Sequence, residues 1–151
     1  MSTPQPQMPK WMADHIALYQ KDPEKAHLWD SSLGSPNAKG LIPTLLLTTK
    51  GRRSGQVHMT PLIYGKAGTG FAVIASKGGA PTHPAWYLNL EANPDVEIQV
   101  GPKHYSARAR TAGSAERKTI WAEMVKLYPP YDEYQARAGR EIPVVVFEPK
   151  S

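Results

Sequence analysis

Residues 41–66 read LIPTLLLTTKGRRSGQVHMTPLIYGK, and this stretch decides the fold. Leu41 to Lys50 is an apolar run with β-forming character, apolar enough to be buried on both faces of a sheet. Gly51 and Gly55 punctuate a short turn. Gln56 to Lys66 then resumes as a second strand, with Pro61 at an irregular or edge position. Strands joined by so short a turn pair antiparallel, which argues against a parallel βαβ sheet. The turn also poses a chemical question. Arg52 and Arg53 stand side by side, and adjacent guanidiniums repel unless something anionic sits between them. Their planar forks match the paired oxygens of a phosphate or carboxylate, and Ser54 adds a hydroxyl. A solvated hairpin tip fits the loop equally well.

The rest of the chain continues the pattern. Gly65 and Gly68 bracket a turn, and GFAVIAS (70–76) is a third strand. THPAWYLNLEANP (82–94) reads as a helix started at Thr82 or His83, with Pro84 in its first turn and Asn93-Pro94 as its stop. VEIQV (96–100) and KHYSARARTA (103–112) alternate, and Gly101-Pro102 joins them as a hairpin. SAERKTIWAEMVKLY (114–128) is a helix with Ser114 as N-cap and Ile120, Trp121, Met124, Val125, Leu127 and Tyr128 toward the core. PPYDEYQARAG (129–139) is a Pro-initiated helical turn, and IPVVVFEP (142–149) is a last buried strand. DSSLGSPNAKG (30–40) is a loop by composition. KWMADHIALYQ (10–20) is a short helix carrying Trp11, His15, Ile16, Leu18 and Tyr19, and residues 1–9 form a flexible tail. The sum is about six strands in one domain spanning 10–151: an α+β, mainly β chain built as an antiparallel sheet or barrel with helices alongside.

Composition narrows the chemistry. The chain of 151 residues has no Cys, which removes disulfides, zinc–thiolate sites and thiol nucleophiles and suits a reducing cytoplasm. The net charge of +5 favours phosphorylated cofactors, nucleic acid or acidic lipid, although a solvated basic surface explains it as well. No stretch approaches the ~20 apolar residues of a membrane span, and the first residues lack a signal-peptide core. Weak peripheral membrane contact through residues 10–20 stays open. The five His show no metal-ligand spacing, so no metal site is expected. GxGxxG, P-loop and GxSxG motifs are absent. With no evident nucleophile or acid pair, any redox chemistry falls to a bound cofactor.

Two further stretches bear on that cofactor. In ASKGGAPTHPAWYLNL (75–90), a strand ends at Ser76 and Lys77, two Gly permit close backbone approach, and a helix start follows with Trp86 and Tyr87 in its first turns. The arrangement suits a flat heterocycle with polar carbonyls. An ordinary strand-to-helix turn with Trp86 in the core is the alternative. In YPPYDEY (128–134), Tyr128, Tyr131 and Tyr134 recur every three residues and fall near one helix face. They either line a pocket with hydroxyls or cap the core.

These pieces, in this order, resemble the deazaflavin-dependent nitroreductase family of actinobacteria. The matching stretches are LLLTTKGRRSGQ, PLIYG, ASKGGAPTHPAWYLNLEANPDVEIQV, YPPYDEYQ and IPVVVFEP, which together span about residues 40 to 149. The resemblance implies a split β-barrel of the flavin-reductase and pyridoxamine-phosphate-oxidase type, and the reduced deazaflavin coenzyme F-420 as cofactor. It places the coenzyme's acidic end on Arg52, Arg53 and Ser54. His58, Met59, Thr60, Pro61, Leu62 and Ile63 would run beside it. Ile74, Ala75, Ser76 and Lys77 would face the deazaflavin, Ala85, Trp86, Tyr87, Leu88 and Asn89 would complete the wall, and Tyr131 would touch it. Ser76, Tyr128, Tyr131 and Tyr134 would serve the chemistry on the substrate side.

The chain departs from the nitroimidazole-activating pattern at His58, where that pattern has a stronger cation, and at Ile63, where it has a pocket tyrosine. The implied activity is hydride transfer to an electron-poor small molecule: an enone, a coumarin-type lactone such as an aflatoxin, a quinone or a nitroarene. The expected protein is a monomer or weak dimer that binds no nucleic acid. An FMN-dependent oxidoreductase of the same fold and a basic, non-enzymatic anion-binding module are the competing readings.

Overall fold

The computed structural model describes residues 10–33, 35–36 and 38–150, and the expected N-terminal tail lies outside them. Eight strands carry the fold: β1 (Leu28–Asp30), β2 (Leu41–Lys50), β3 (Val57–Ile63), β4 (Gly65–Ala67), β5 (Gly70–Ile74), β6 (Asp95–Val100), β7 (Lys103–Thr111) and β8 (Val144–Pro149). Five helices flank them: α1 (Lys10–Lys21), α2 (Pro23–Ala26), α3 (Ala85–Ala92), α4 (Ser114–Leu127) and α5 (Pro130–Ala138). All strand pairs are antiparallel. The order is β1-β2-β6-β7-β8-β5-β4, and β3 pairs with β2 alone. The hairpin at 41–66 therefore forms as its turn chemistry demands, with Lys50 opposite Val57 and Leu46 opposite Pro61. Pro61 lacks an N–H and sits on a strand with one neighbour, where the missing donor breaks no ladder.

Strand β2 is buried on both faces, and the period of two assigns each residue to a side. Leu45 and Leu47 join Val73, Val96, Ile98 and Phe147 inside the curled sheet. Leu46 faces outward and packs with Tyr19 and Ala26 beneath α1 and α2. Strands β5 and β8 divide the same way. Val145 and Phe147 look inward, while Val144 and Val146 meet Ile120 and Met124 of α4. The sheet thus separates an inner core from two outer clusters.

Tyr19 pins α1 to this frame. Its hydroxyl donates to the Thr44 carbonyl and accepts from the Gly101 N–H, which ties the helix to β2 and to the β6–β7 turn. Gly101 has a φ of 58°, the left-handed region a tight hairpin needs.

The structure corrects the sequence reading in several places. The segment before the 30–40 loop carries α2 and β1, which composition did not reveal, because a four-residue helix and a three-residue strand offer no period. The second strand breaks at Tyr64, whose side chain turns into the core to meet the His27 ring at 2.5 Å and Phe71 edge-on. Helix α3 starts at Ala85 with Pro84 as its cap, so Thr82 and His83 lie outside it. Gly113, not Ser114, caps α4, and its carbonyl accepts from the Arg117 N–H.

Two outcomes follow for stability. A Cβ at Gly70 would overlap the Phe147 carbonyl oxygen. Gly70→Ala is therefore expected to cost about 3 kcal/mol in urea denaturation. Burial raises the hydroxyl pKa of Tyr19 to about 12 and pushes Tyr128 and Tyr131 up as well. A group with a raised folded pKa adds stability below its unfolded value, about 10 for tyrosine, and loses it as pH climbs through the folded value. Unfolding free energy should be flat with respect to these three up to about pH 10 and fall between there and pH 12, with a shallower fall in Tyr19→Phe.

Candidate functional site

The turn that opened the question is built tightly. The Gly51 N–H donates to the Gln56 carbonyl, and the Gly55 N–H donates to the Gly51 carbonyl. A Cβ at Gly51 would lie 2.8 Å from Ser54 Oγ and 3.0 Å from His58 Nε2, so the position admits only glycine without a shift. Arg52 leans onto α3. Its backbone N–H and its Nη1 both donate to Asn89 Oδ1, at 3.2 and 3.0 Å, and Asn89 Nδ2 reaches Thr49. Arg53 and Ser54 are exposed at the tip. No ion pair among the described residues takes Arg52 or Arg53. An Arg has five N–H donors, and Asn89 occupies one of Arg52's side-chain donors.

Facing the turn is the loop after β5. Ser76 is right-handed helical (φ −81°, ψ −35°). Lys77, Gly78 and Gly79 follow in the left-handed region, with φ of 49°, 64° and 85°. A right- to left-handed step brings successive backbone N–H groups together into a concavity for an anion or carbonyl oxygen. Gly78 has open space where a Cβ would stand.

Arginines near the C-terminal end of α5 hold the loop in this strained shape. Arg140 donates from Nε to the Ala80 carbonyl and from Nη2 to the Ala75 and Ser76 carbonyls, and its Nη1 meets His83 Nδ1 at 3.0 Å. Arg137 donates to the Gly78 carbonyl and lies over the Tyr134 ring. A single guanidinium spread over several carbonyls fixes a loop that its own φ angles would not favour.

Beside this loop, and adjoining the turn through Asn89, lies a cleft of about 560 Å³, within the roughly 300–1,000 Å³ usual for small-molecule sites. Of the sequence-predicted residues it brings together His58, Thr60, Pro61, Leu62, Ile63, Ile74, Ser76, Lys77, Ala85, Trp86, Asn89, Tyr128, Tyr131 and Tyr134. Arg52, Arg53 and Ser54 stand on the turn outside its lining. Four predicted residues face elsewhere. Ala75 and Tyr87 belong to the inner core, and the Tyr87 hydroxyl pairs with Thr111. Met59 packs in the cluster under α1 and α2. Leu88 is half-buried on α3, away from the lining. The strand period explains Ala75, which points opposite to Ile74 and Ser76, whereas Met59 shares its parity with Pro61 and Ile63 of the lining and faces away because it packs beneath α1 and α2.

The tyrosine face is real and packed. Tyr128, Tyr131 and Tyr134 lie within 4.9 to 6.2 Å of one another, ring to ring. Tyr128 and Tyr134 share a hydroxyl–hydroxyl hydrogen bond of 3.0 Å. The Tyr131 hydroxyl makes no hydrogen bond among the described residues. Burial, reinforced by the neighbouring phenols, keeps Tyr131 protonated well above neutral pH.

Sequence reasoning missed the wall formed by Trp11, Met12 and His15 of α1, Trp29 of β1 and Thr44 of β2, together with Pro84. The spacing of Trp11 and His15 by four residues marked a shared helix face. Nothing in the sequence said that this face borders a cleft. His15 is buried, its Nε2 lies 3.0 Å from Thr44 Oγ1, and desolvation lowers its pKa.

No group of three or more His, Asp or Glu side chains that could hold a metal comes together among the described residues. No helix among them is long and apolar enough to cross a membrane. Several basic residues are already paired with carboxylates: Arg110 with Glu116 and Glu148, and Arg108 and Lys150 with Asp95.

Comparison with known proteins agrees with this geometry. An F-420H(2)-dependent quinone reductase of Mycobacterium tuberculosis is 35% identical over 146 residues, covering 91% of this chain and 95% of the relative. A solved F-420-H2-dependent reductase (FDR-A) is 43% identical with a TM-score of 0.65, covering 70% of this chain and 94% of that one. A structure described as a domain-swapped dimer is 36% identical with a TM-score of 0.67, covering 90% and 94%. The fold alone is shared with the haem storage protein HutZ of Vibrio cholerae, at 17% identity and a TM-score of 0.56. The curled antiparallel sheet is thus of the split-barrel type. The model of the F-420H(2)-dependent quinone reductase family matches residues 31–149, and with these relatives it shows that the chain belongs to that family.

Proposed function

We propose that this protein reduces quinones with reduced coenzyme F-420, bound in the cleft between the Arg52–Arg53 turn and the Ser76–Gly79 loop. One observation carries the reading: the Tyr131 hydroxyl lines the cleft, stays protonated, and has no partner among the described residues. In a chain of this family, such a donor is free to hydrogen-bond a ligand oxygen in place of water.

The residues present fit the coenzyme. Its acidic end requires cations free of carboxylate partners, which Arg52 and Arg53 are among the described residues, with Ser54 beside them. Its ring requires close backbone approach, which the Ser76–Lys77 step and the open position at Gly78 allow. Lys77, Ala85, Trp86, Asn89 and the β3 residues Thr60 to Ile63 would form the walls. Met59, Ala75, Tyr87 and Leu88 would act by holding those residues. When bound, the reduced coenzyme supplies a hydride.

The protein's part is to orient a quinone and to stabilise the charge that develops on its oxygen. Tyr131 is placed to donate a hydrogen bond to that oxygen, with Ser76 or Tyr134 as a second donor. A phenol with a raised pKa gives up its proton reluctantly. Tyr131 therefore serves as a hydrogen-bond donor, and water supplies the net proton. The same demands admit other electron-poor acceptors: enones, coumarin-type lactones such as aflatoxins, and nitroarenes. Each carries an oxygen on which negative charge accumulates.

Titration with deazaflavin, FMN and NADPH, followed by tryptophan fluorescence, tests the cofactor. Selective deazaflavin binding is expected, weakened at least about tenfold in Arg52→Ala/Arg53→Ala, in line with losing charge-assisted bonds. Tight FMN binding instead would make the protein a flavin enzyme of the same fold. Tyr131→Phe should lower kcat by about ten- to a hundredfold with deazaflavin affinity unchanged. Unchanged turnover would remove Tyr131 from the reaction.

A further inference from the structure

His15 of α1 takes no part in the chemistry assigned to the tyrosines, yet its ring lines the cleft beside Thr44. Its Nε2 lies 3.0 Å from Thr44 Oγ1, and that oxygen stands 2.9 Å from the Ala26 carbonyl and 3.5 Å from the His27 carbonyl. Carbonyl oxygens only accept, so the single hydroxyl proton of Thr44 is directed at them. Were it turned to His15 instead, lone pairs on two oxygens would face each other at 2.9 Å. Toward the imidazole the threonine oxygen therefore accepts, and Nε2 carries the ring proton. The Ala26 carbonyl, beside Thr44 Oγ1, also stabilises an N–H on this side of the ring. Desolvation lowers the pKa of His15, so at neutral pH the ring is uncharged and holds one proton. Nδ1 is left as a bare lone pair.

That lone pair is open to a ligand. His15 Nδ1 has no hydrogen-bond partner among the described residues. Among them, the one fully enclosed side-chain polar atom without a partner is Trp29 Nε1. His15 Nδ1 therefore keeps an accessible face. The residue is only 6% exposed, and its ring borders the cleft, so the face opens there. A neutral imidazole nitrogen in this state is an acceptor and nothing else.

Quinone oxygens are acceptors too, and they gain nothing from such a nitrogen. The Tyr131 hydroxyl suits them instead. The two groups thus sort the polar atoms of a bound molecule, a carbonyl oxygen toward Tyr131 and a donor toward His15. We propose that His15 is a specificity-determining residue, whose Nδ1 accepts a hydrogen bond from a hydroxyl group that the electron acceptor carries away from its reacting carbonyl. The inference rests on the quinone reading and deepens it, naming hydroxyl-bearing quinones as the favoured class. It gives α1 a part in recognition that the Arg turn and the tyrosine face do not supply.

The test compares a hydroxyethyl-substituted benzoquinone with its methyl ether, which keeps the oxygen and loses the donor. Affinities for the full chain are measured by equilibrium dialysis at neutral pH without reduced coenzyme, so that no turnover occurs. The wild-type protein should prefer the alcohol by about fivefold, which corresponds to about 1 kcal/mol. His15→Phe keeps a planar ring and removes the acceptor, and should bring the ratio close to one. Circular dichroism and thermal melting report whether the variant folds. NMR of the imidazole nitrogens in the wild-type protein gives a readout that needs no variant. His15 should be the neutral Nε2–H tautomer, and its Nδ1 resonance should move upfield with the alcohol and stay in place with the ether. A proton on Nδ1 in the free protein, a wild-type ratio near one, or a ratio unaltered in folded His15→Phe overturns the proposal. Equal binding of both quinones removes only the role of His15. Failure of both to bind removes the quinone reading together with it.

Discussion

Burial of β2 on both faces is the constraint on which the rest depends. Leu45 and Leu47 need an inner core, and Leu46 needs an outer cover. The inner demand curls the sheet, since β6, β7, β8 and β5 must wrap around the same apolar centre. The outer demand recruits α1 and α2, and the Tyr19 hydroxyl locks them through the Thr44 carbonyl and Gly101 N–H. Strand β3 pairs on one side only, as β1 and β4 do. The cleft is lined by consecutive residues of β3, Thr60 to Ile63. The proposed site thus lies along a strand where hydrogen-bonded pairing stops.

A second dependence runs through α5. Its inward face supplies Tyr131 and Tyr134, and arginines in and just beyond its last turn hold the loop at 75–80. The donor face and the backbone concavity are therefore parts of one rigid unit. Arg140 spreads its N–H groups across the Ala75, Ser76 and Ala80 carbonyls, a role lysine could not fill with a compact ammonium. In the left-handed run Lys77–Gly79 only Lys77 carries strain, since Gly78 and Gly79 take positive φ freely, and this bonding holds the run in place. Strain stored in a site and stabilised from a neighbouring helix keeps the concavity open before any ligand arrives.

The Arg52–Arg53 turn has a double answer. Half of it is structural: Arg52 caps its contact with α3 through Asn89, so the turn is fixed relative to Trp86 and the cleft. The other half is the absence of carboxylates around Arg53 and the remaining donors of Arg52 among the described residues. Elsewhere, Arg108 and Arg110 take carboxylate partners. Lys21, Lys50, Lys66, Lys77 and Lys118, among others, also lack carboxylate partners among the described residues, so what sets the turn apart is two adjacent guanidiniums beside a cleft, which suits a discrete anionic ligand.

Much of this was legible in the residues. The apolar run of 41–50, the period of two in 96–112, punctuation by Gly and Pro, and short joins led to an antiparallel, mainly β chain, because strand pattern and turn chemistry are local properties. The Tyr131–Tyr134 pair was legible for the same reason, since three-residue spacing on a helix is local, whereas Tyr128 ends α4 and joins them only through the packing of α4 against α5. Local signals failed where an element was too short to show a period, as in α2 and β1, and where the facing of one residue depended on a distant element packed over it, as at Met59 beneath α1 and α2. The sequence by itself determined which chemical groups were present and which of them shared a strand or helix face. Only the tertiary structure decided that Trp11, His15, Trp29 and Thr44 meet the tyrosines across a cleft, and that Arg140 reaches back 60 residues to Ala80. Such contacts join segments far apart in the chain. Chain spacing carries no record of them, because they are fixed by the packing of an inner core and outer clusters across a sheet rather than by any residue's neighbours.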